Sequence, residues 1–215
     1  MSFTPGNDWR PLVVVTGATG GIGYACAHAF HRRGARLVIA DIDRPAMRKV
    51  AAELDAESSF CDAASQASIA DFAAKIVEQG AIPDILINAA GEGYIRTLGM
   101  VWVSRELMPT MRFAGGPRLI INIAPTRNHQ PASGQFPYAA SPLAFRCLSE
   151  SLAQQSIGSA TQVMTVIPPN PGVVEQPAAS VFAAQHALVI KTDDANRIAA
   201  MAQQMLGLMR QARAG

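Results

Sequence analysis

Glycines at 17, 21 and 23, spaced Gly-x-x-x-Gly-x-Gly within Thr16-Gly17-Ala18-Thr19-Gly20-Gly21-Ile22-Gly23, offer chemistry that needs no side chain. The apolar run Leu12-Val13-Val14-Val15 before them reads as a strand buried on both faces, and Tyr24 to Arg33 reads as a helix. A glycine loop between strand and helix points free N–H groups and the positive end of the helix dipole at an anion. Gly17 permits the tight turn, Gly21 lets backbone approach a pyrophosphate, and Gly23 lets helix and strand pack closely. Thr16, Thr19 and Ile22 complete the loop. Glycines alone also suit a plain turn. Asp41 decides between the two readings. It ends a second strand, 35–40, and lies 18 residues past Gly23, where a carboxylate meets the hydroxyls of an adenosine ribose. The expectation is a dinucleotide site.

The elements that must position this loop alternate along the chain. Asp43 with Pro45 predicts a capped helix through about Leu54, and Ser58 to Cys61 a third strand ending at Asp62. Ser65 caps a helix whose apolar positions Ile69, Phe72, Ala73, Ile76 and Val77 recur with helical spacing. Residues 84–87 form a fourth strand running into Asn88-Ala89-Ala90-Gly91, then 98–112 a helix and 119–124 a fifth strand. A helix over 142–157, a sixth strand over 162–167 and a last helix from Thr192 or Asp193 to about Met209 complete the pattern. Right-handed βαβ crossovers turn this alternation into a doubly wound parallel sheet, a Rossmann-like α/β fold in one domain over 1–215.

Composition narrows the function. With 49% hydrophobic and 16% charged residues the chain can bury a sizeable core, and a net charge of +2 argues against nucleic acid or membrane as a partner. Cys26, Cys61 and Cys147 have no metal-ligand spacing and read as reduced, buried thiols of a cytoplasmic protein. No signal peptide or membrane-spanning run is visible.

These motifs together resemble the short-chain dehydrogenase/reductase family over essentially the whole chain. Thr16 to Gly23 is similar to its Thr-Gly-x-x-x-Gly-Ile-Gly cofactor loop, and Asn88-Ala89-Ala90-Gly91 resembles its Asn-Asn-Ala-Gly element. Tyr138-Ala139-Ala140-Ser141 resembles the start of its Tyr-x-x-x-Lys motif. The resemblance implies that Asp62 lies beside adenine, that Asn88, Ala89 and Gly91 belong to the cofactor site, and that Asp41 selects NAD by repelling a 2′-phosphate. Arg44 reads as a solvated residue at a helix start. The resemblance also implies a homo- or hetero-oligomer through helix 142–157, with Leu143, Phe145, Leu148 and Leu152 either in that contact or in the core. It further implies that the family's last strand is missing here.

The catalytic positions depart from the pattern. The family's lysine position is Pro142, its serine position is Pro125, and its helix asparagine falls at Arg96. Tyr138 is the one catalytic residue retained. An unassisted tyrosine has a pKa near ~10, so it gives a proton at neutral pH far more readily than it takes one. Loss of one positioned oxyanion-type donor costs roughly 10²–10³ in rate, and loss of acid–base tuning about 10²–10⁴. Pro142 also disfavours helical geometry at Ser141 and predicts a displaced helix start. Arg96 is either a substitute cation beside Tyr138 or a surface arginine. Thr126, Ser133 and His129 are loop residues that could replace a donor or do nothing chemical.

Three readings follow. The first is an NAD-binding protein with little or no standard dehydrogenase activity, serving as cofactor sensor or non-catalytic partner subunit. The second is an active NAD(P)-dependent oxidoreductase on a carbonyl or alcohol, with Tyr138 as acid and Arg96 as support. The third is a structural pseudo-enzyme that no longer binds nicotinamide.

Overall fold

The computed structural model describes residues 10–90, 94–124, 141–168, 187–192 and 194–214. Strands β1 (Leu12–Thr16), β2 (Arg36–Asp41), β3 (Glu57–Phe60), β4 (Ile85–Asn88), β5 (Arg118–Ile123), β6 (Thr161–Ile167) and β7 (Ala187–Lys191) form one sheet in the order β3-β2-β1-β4-β5-β6-β7. Every pairing is parallel. Between them run α1 (Gly21–His31), α2 (Arg44–Leu54), α3 (Gln66–Glu78), α4 (Tyr94–Phe113), α5 (Ser141–Gln155) and α6 (Ala195–Ala214). The doubly wound parallel sheet expected from the alternation is the architecture found.

Alternation along each strand divides the core in two. Val13, Val15, Leu37, Ile39, Ile85, Ile87, Leu119 and Ile121 face a layer built on α1, α2 and α6. Leu12, Val14, Val38, Ala40, Leu86 and Ile120 face the layer of α3, α4 and α5. A strand buried on both faces reads as a continuous apolar run, which is why β1 and β5 are so plain in the sequence. At the opposite end from the glycine loop, Asp84 ties three strand starts together. Its carboxylate accepts from Leu12 N at 2.8 Å and from Arg118 Nη1 at 2.5 Å.

The helix starts follow local chemistry. Asp43 accepts from Ala46 N at 2.9 Å with Pro45 in the first turn, and Ser65 accepts from Ser68 N at 3.3 Å. Both caps are those expected. The cap of α6 is instead Asp194, whose Oδ1 accepts from Asn196 N and Arg197 N at 2.9 and 3.3 Å, and the helix runs on to Ala214. Thr192 holds that cap from outside, its hydroxyl accepting from Asp194 N.

Three expectations are corrected. The sheet has a seventh strand, β7, which precedes the terminal helix; its short apolar stretch beyond the prolines at 168, 169 and 171 gives no period to read. Helix α4 begins at Tyr94, four residues earlier than Leu98, and α5 begins at Ser141 despite Pro142. Proline is accommodated there because the first-turn N–H it lacks has no intrahelical partner to lose. Phe145 and Leu152 are buried and Leu148 packs against the same cluster, so these three belong to the core. Met201 and Met205 likewise pack inward, whereas Leu208 is exposed. Among the described residues no helix is long and apolar enough to cross a membrane.

Candidate functional site

Strand order reverses between β1 and β4, and the ends of β1 to β4 open there into a cleft of about 260 Å³. Such a reversal at the carboxyl ends of parallel strands is where open α/β sheets hold ligands. Gly17, Thr19 and Gly20 line it from the first loop, Asp41 and Ile42 from the second, Asp62 and Ala63 from the third, Ala89 and Ala90 from the fourth. The sequence separates these residues by up to 73 positions; the sheet brings them to one mouth.

The loop after β1 is held by contacts only glycine allows. Gly17 has φ +70°, and a Cβ there would lie 2.5 Å from Ala90 Cα. A Cβ on Gly23 would meet Gly17 O at 2.2 Å, so α1 leaves the sheet in direct contact with its own loop. Gly20 and Gly21 are the opposite case. A Cβ at either meets nothing within 4 Å, so the loop's outer side faces open space. Helix α1 carries no side-chain cap and no acidic residue in its first turn, unlike α2 and α3 with their Asp43 and Ser65 caps. Uncapped N–H groups, an open loop and a helix dipole are what an anionic phosphate group requires. The residues present fit a dinucleotide.

Asp41 stands at the other side of the cleft. Its Oδ2 accepts from Thr19 N at 3.0 Å and from Thr19 Oγ1 at 2.8 Å, while Oδ1 accepts from Ile42 N at 2.7 Å and Asp43 N at 3.2 Å. These four donors use about as many sites as a carboxylate offers. A further donor arriving at Asp41 would have to share or replace the Thr19 hydroxyl. Asp62 Oδ1 accepts from Ala64 N at 2.9 Å, closing the turn after β3. Next to it, burial foremost and then the Asp62 and Asp41 charges push the Cys61 thiol up to about 12. Cys26 is pushed equally far by burial. Both stay neutral thiols at pH 7. Cys147 on α5 is exposed, which corrects the expectation that all three cysteines are buried.

The remaining expected site residues take different places. Thr16 is buried, its hydroxyl 3.5 Å from Ile87 O, and Ile22 packs against the core. Ala89 lines the cleft; Asn88 is turned away from it. Asn88 Nδ2 donates to Ser104 Oγ and to Asn122 Oδ1, both at 2.9 Å. Asn122 Nδ2 donates to Ser149 Oγ at 2.9 Å, and Ser149 Oγ lies 2.7 Å from Thr165 Oγ1. Asn88, Asn122 and Thr165 are register partners on β4, β5 and β6, so the chain of bonds crosses three strands. All five residues are buried, and Asn88 Oδ1 has no hydrogen-bond partner among the described residues. Sequence reasoning missed Ser104, Asn122, Ser149 and Thr165. The available signal was a polar residue inside each apolar strand run, Asn122 in β5 and Thr165 in β6; Ser104 and Ser149 on the helices gave none. Arg96 lies in the first turn of α4 and Pro142 in that of α5, while Tyr138, Pro125 and Gly91 lie outside the described residues.

Comparison with known proteins agrees with this geometry. The "Granaticin polyketide synthase putative ketoacyl reductase 1" of Streptomyces violaceoruber is 31% identical over 199 residues, covering 82% of this chain and 72% of that protein. Dehydrogenase/reductase SDR family member 7B of Mus musculus is 37% identical over 108 residues, 45% of this chain and 33% of that protein. A metagenomic short-chain oxidoreductase crystallised in complex with NADP superposes with a TM-score of 0.69 at 25% identity, over 85% of this chain and 97% of that one. The family model described as short chain dehydrogenase matches residues 11–187. The chain that folds this glycine loop, this Asp41 and this switch point into one cleft belongs to the short chain dehydrogenase family.

Proposed function

We propose that the protein binds a nicotinamide dinucleotide, with NAD preferred, and has little or no standard dehydrogenase activity. The observation that carries this reading is the cradle itself. The glycine loop is open at Gly20 and Gly21, uncapped at α1 and tied to Asp41 through Thr19. When bound, the cofactor supplies hydride chemistry. The chain supplies the anion site at the loop, the ribose acceptor at Asp41 and an adenine wall at Ile42 and Asp62.

The reduced activity is argued from residue chemistry. Proline at 142 stands where a lysine would sit four residues past Tyr138, and it has neither charge nor donor. Its role is then as a cofactor sensor or a non-catalytic subunit, with an oligomer across helix 142–157 as the assembly, which light scattering measures. Calorimetric titration with NADH tests the binding half. Saturable binding below millimolar concentration is expected, and none at millimolar cofactor overturns it.

The relative named as a ketoacyl reductase and the neighbour solved with NADP favour a second reading, carbonyl reduction with Tyr138 as acid and Arg96 as electrostatic support. On that reading Tyr138→Phe abolishes cofactor-dependent turnover. Turnover that is absent in the unaltered protein, or unchanged by the substitution, excludes it.

A further inference from the structure

The Arg44 guanidinium carbon lies 3.9 Å from the centroid of the Phe60 ring. Arg44 is the first residue of α2 and exposed, three residues past Asp41. Phe60 ends β3 and is the register partner of Asp41 on β2. Arg44 follows Asp41 by three residues, yet among the described residues the two form no ion pair, and the Arg44 guanidinium lies on the ring instead. The reason lies in Asp41, whose oxygens already accept four hydrogen bonds from Thr19, Ile42 and Asp43. Asp43 is also engaged, capping α2 through Ala46 N. The aromatic face is the partner left over, and a guanidinium stacks on it well.

Position gives this contact a consequence. Strand β3 is an edge strand of the sheet, next to β2, and β1 with its glycine loop lies on the far side of β2. Phe60 therefore draws Arg44 outward, away from the side of Asp41 that faces Thr19 and the cleft. The charge presented to an adenosine ribose is then the carboxylate's, which suits two hydroxyls and opposes a phosphate. The arginine stem is long and rotatable, so the cation that would reverse this preference is present and held aside. We propose that Phe60 is a positioning residue for cofactor choice, keeping Arg44 on its ring and off a 2′-phosphate beside Asp41. This rests on the dinucleotide reading above.

The test is titration of NADH and NADPH, followed by nicotinamide fluorescence, into the full chain and into Phe60→Leu, Phe60→Tyr and Phe60→Leu/Arg44→Ala. In Phe60→Leu the NADPH affinity rises about 2- to 5-fold, the worth of an exposed cation–π contact, while NADH affinity stays constant. Phe60→Tyr keeps the original ratio because its ring still stacks. The double variant loses the gain. An unchanged NADPH-to-NADH ratio in Phe60→Leu, or a gain that survives removal of Arg44, overturns the proposal while leaving dinucleotide binding intact. If neither cofactor binds the unaltered protein or any variant, the dinucleotide reading fails and this inference fails with it.

Discussion

Thr19 and Asp41 meet twice: the backbone N–H and the hydroxyl of Thr19 both donate to Oδ2 of Asp41, at 3.0 and 2.8 Å. The contact joins the loop after β1 to the end of β2 across the mouth of the cleft. Removing the hydroxyl by Thr19→Val leaves one donor in place, and the charged acceptor is partly solvated. The expected loss of stability is about 1 kcal/mol. Removing the carboxylate by Asp41→Ala opens both ties and deletes the proposed ribose acceptor. NADH affinity is expected to fall at least about tenfold, equivalent to one charge-assisted hydrogen bond. Thermal melts and NADH titration read the two effects separately.

The loop glycines divide into those the fold needs and those the ligand needs. Gly17→Ala puts a methyl 2.5 Å from Ala90 Cα on a backbone at φ +70°, so the loop must move. A loss of about 3 kcal/mol or more is expected, combining overpacking with left-handed strain. Gly20→Ala meets nothing within 4 Å and has extended backbone at φ −159°, so its melting temperature should change little. Gly20 does line the cleft, and its new methyl takes space there, so NADH binding weakens in a protein that folds normally. Equal melting temperatures for the two variants would count against this division.

The buried bonds from Asn88 through Asn122 to Ser149 and Thr165 fasten α4 and α5 to the sheet at the site end. Asn122→Ala leaves an Asn88 donor and the Ser149 hydroxyl short of partners inside the core. About 3 kcal/mol is expected from the cavity and the unsatisfied groups together. For a chain of this length that is a drop of roughly 6–12 °C in Tm. Thr165→Val keeps the volume and removes one hydroxyl, costing about 1 kcal/mol. A double-mutant cycle between Asn88 and Asn122 should return a coupling of about 0.5–3 kcal/mol. Additive losses would show that the network is a set of separate bonds.

Cysteine chemistry follows burial. Cys147 is exposed and should react first with a maleimide, while Cys26 and Cys61 resist until the chain unfolds. Both buried thiols are raised from 9.0 to about 12, so between those values the folded chain holds protons that the unfolded chain has released. Stability is therefore complete below about pH 9 and declines as pH rises toward 12. Melts from pH 8 to 11 should fall less steeply in Cys26→Ala, measured against its own value at pH 8. A slope unchanged by that substitution would assign the alkaline loss to other groups.

Much of the site was legible because its chemistry is local. A glycine loop, a capped helix start and an acidic residue ending a strand each follow from a few adjacent residues. The apolar runs of β1 and β5 follow from burial on both faces. The second helix layer was legible too, from the period of Ile69, Phe72, Ala73 and Ile76. Strand β7 was not, because five residues after a proline-rich stretch carry no period to tell strand from loop. The role of Asn88 was not legible either: a strand-ending asparagine can face a cleft or a core, and only its neighbours on β5 and α4 decide.

The sequence by itself determined that a parallel α/β sheet would place a glycine loop and Asp41 at strand ends. It also determined that positions 125 and 142 hold no donor or charge, since side-chain identity is fixed before folding. The tertiary structure decided what touches what. It set Thr19 on Asp41, laid Arg44 on Phe60, and turned Asn88 inward to Asn122, pairs separated by 16 to 34 residues. Such contacts depend on strand order and register, which follow from the packing of the whole sheet.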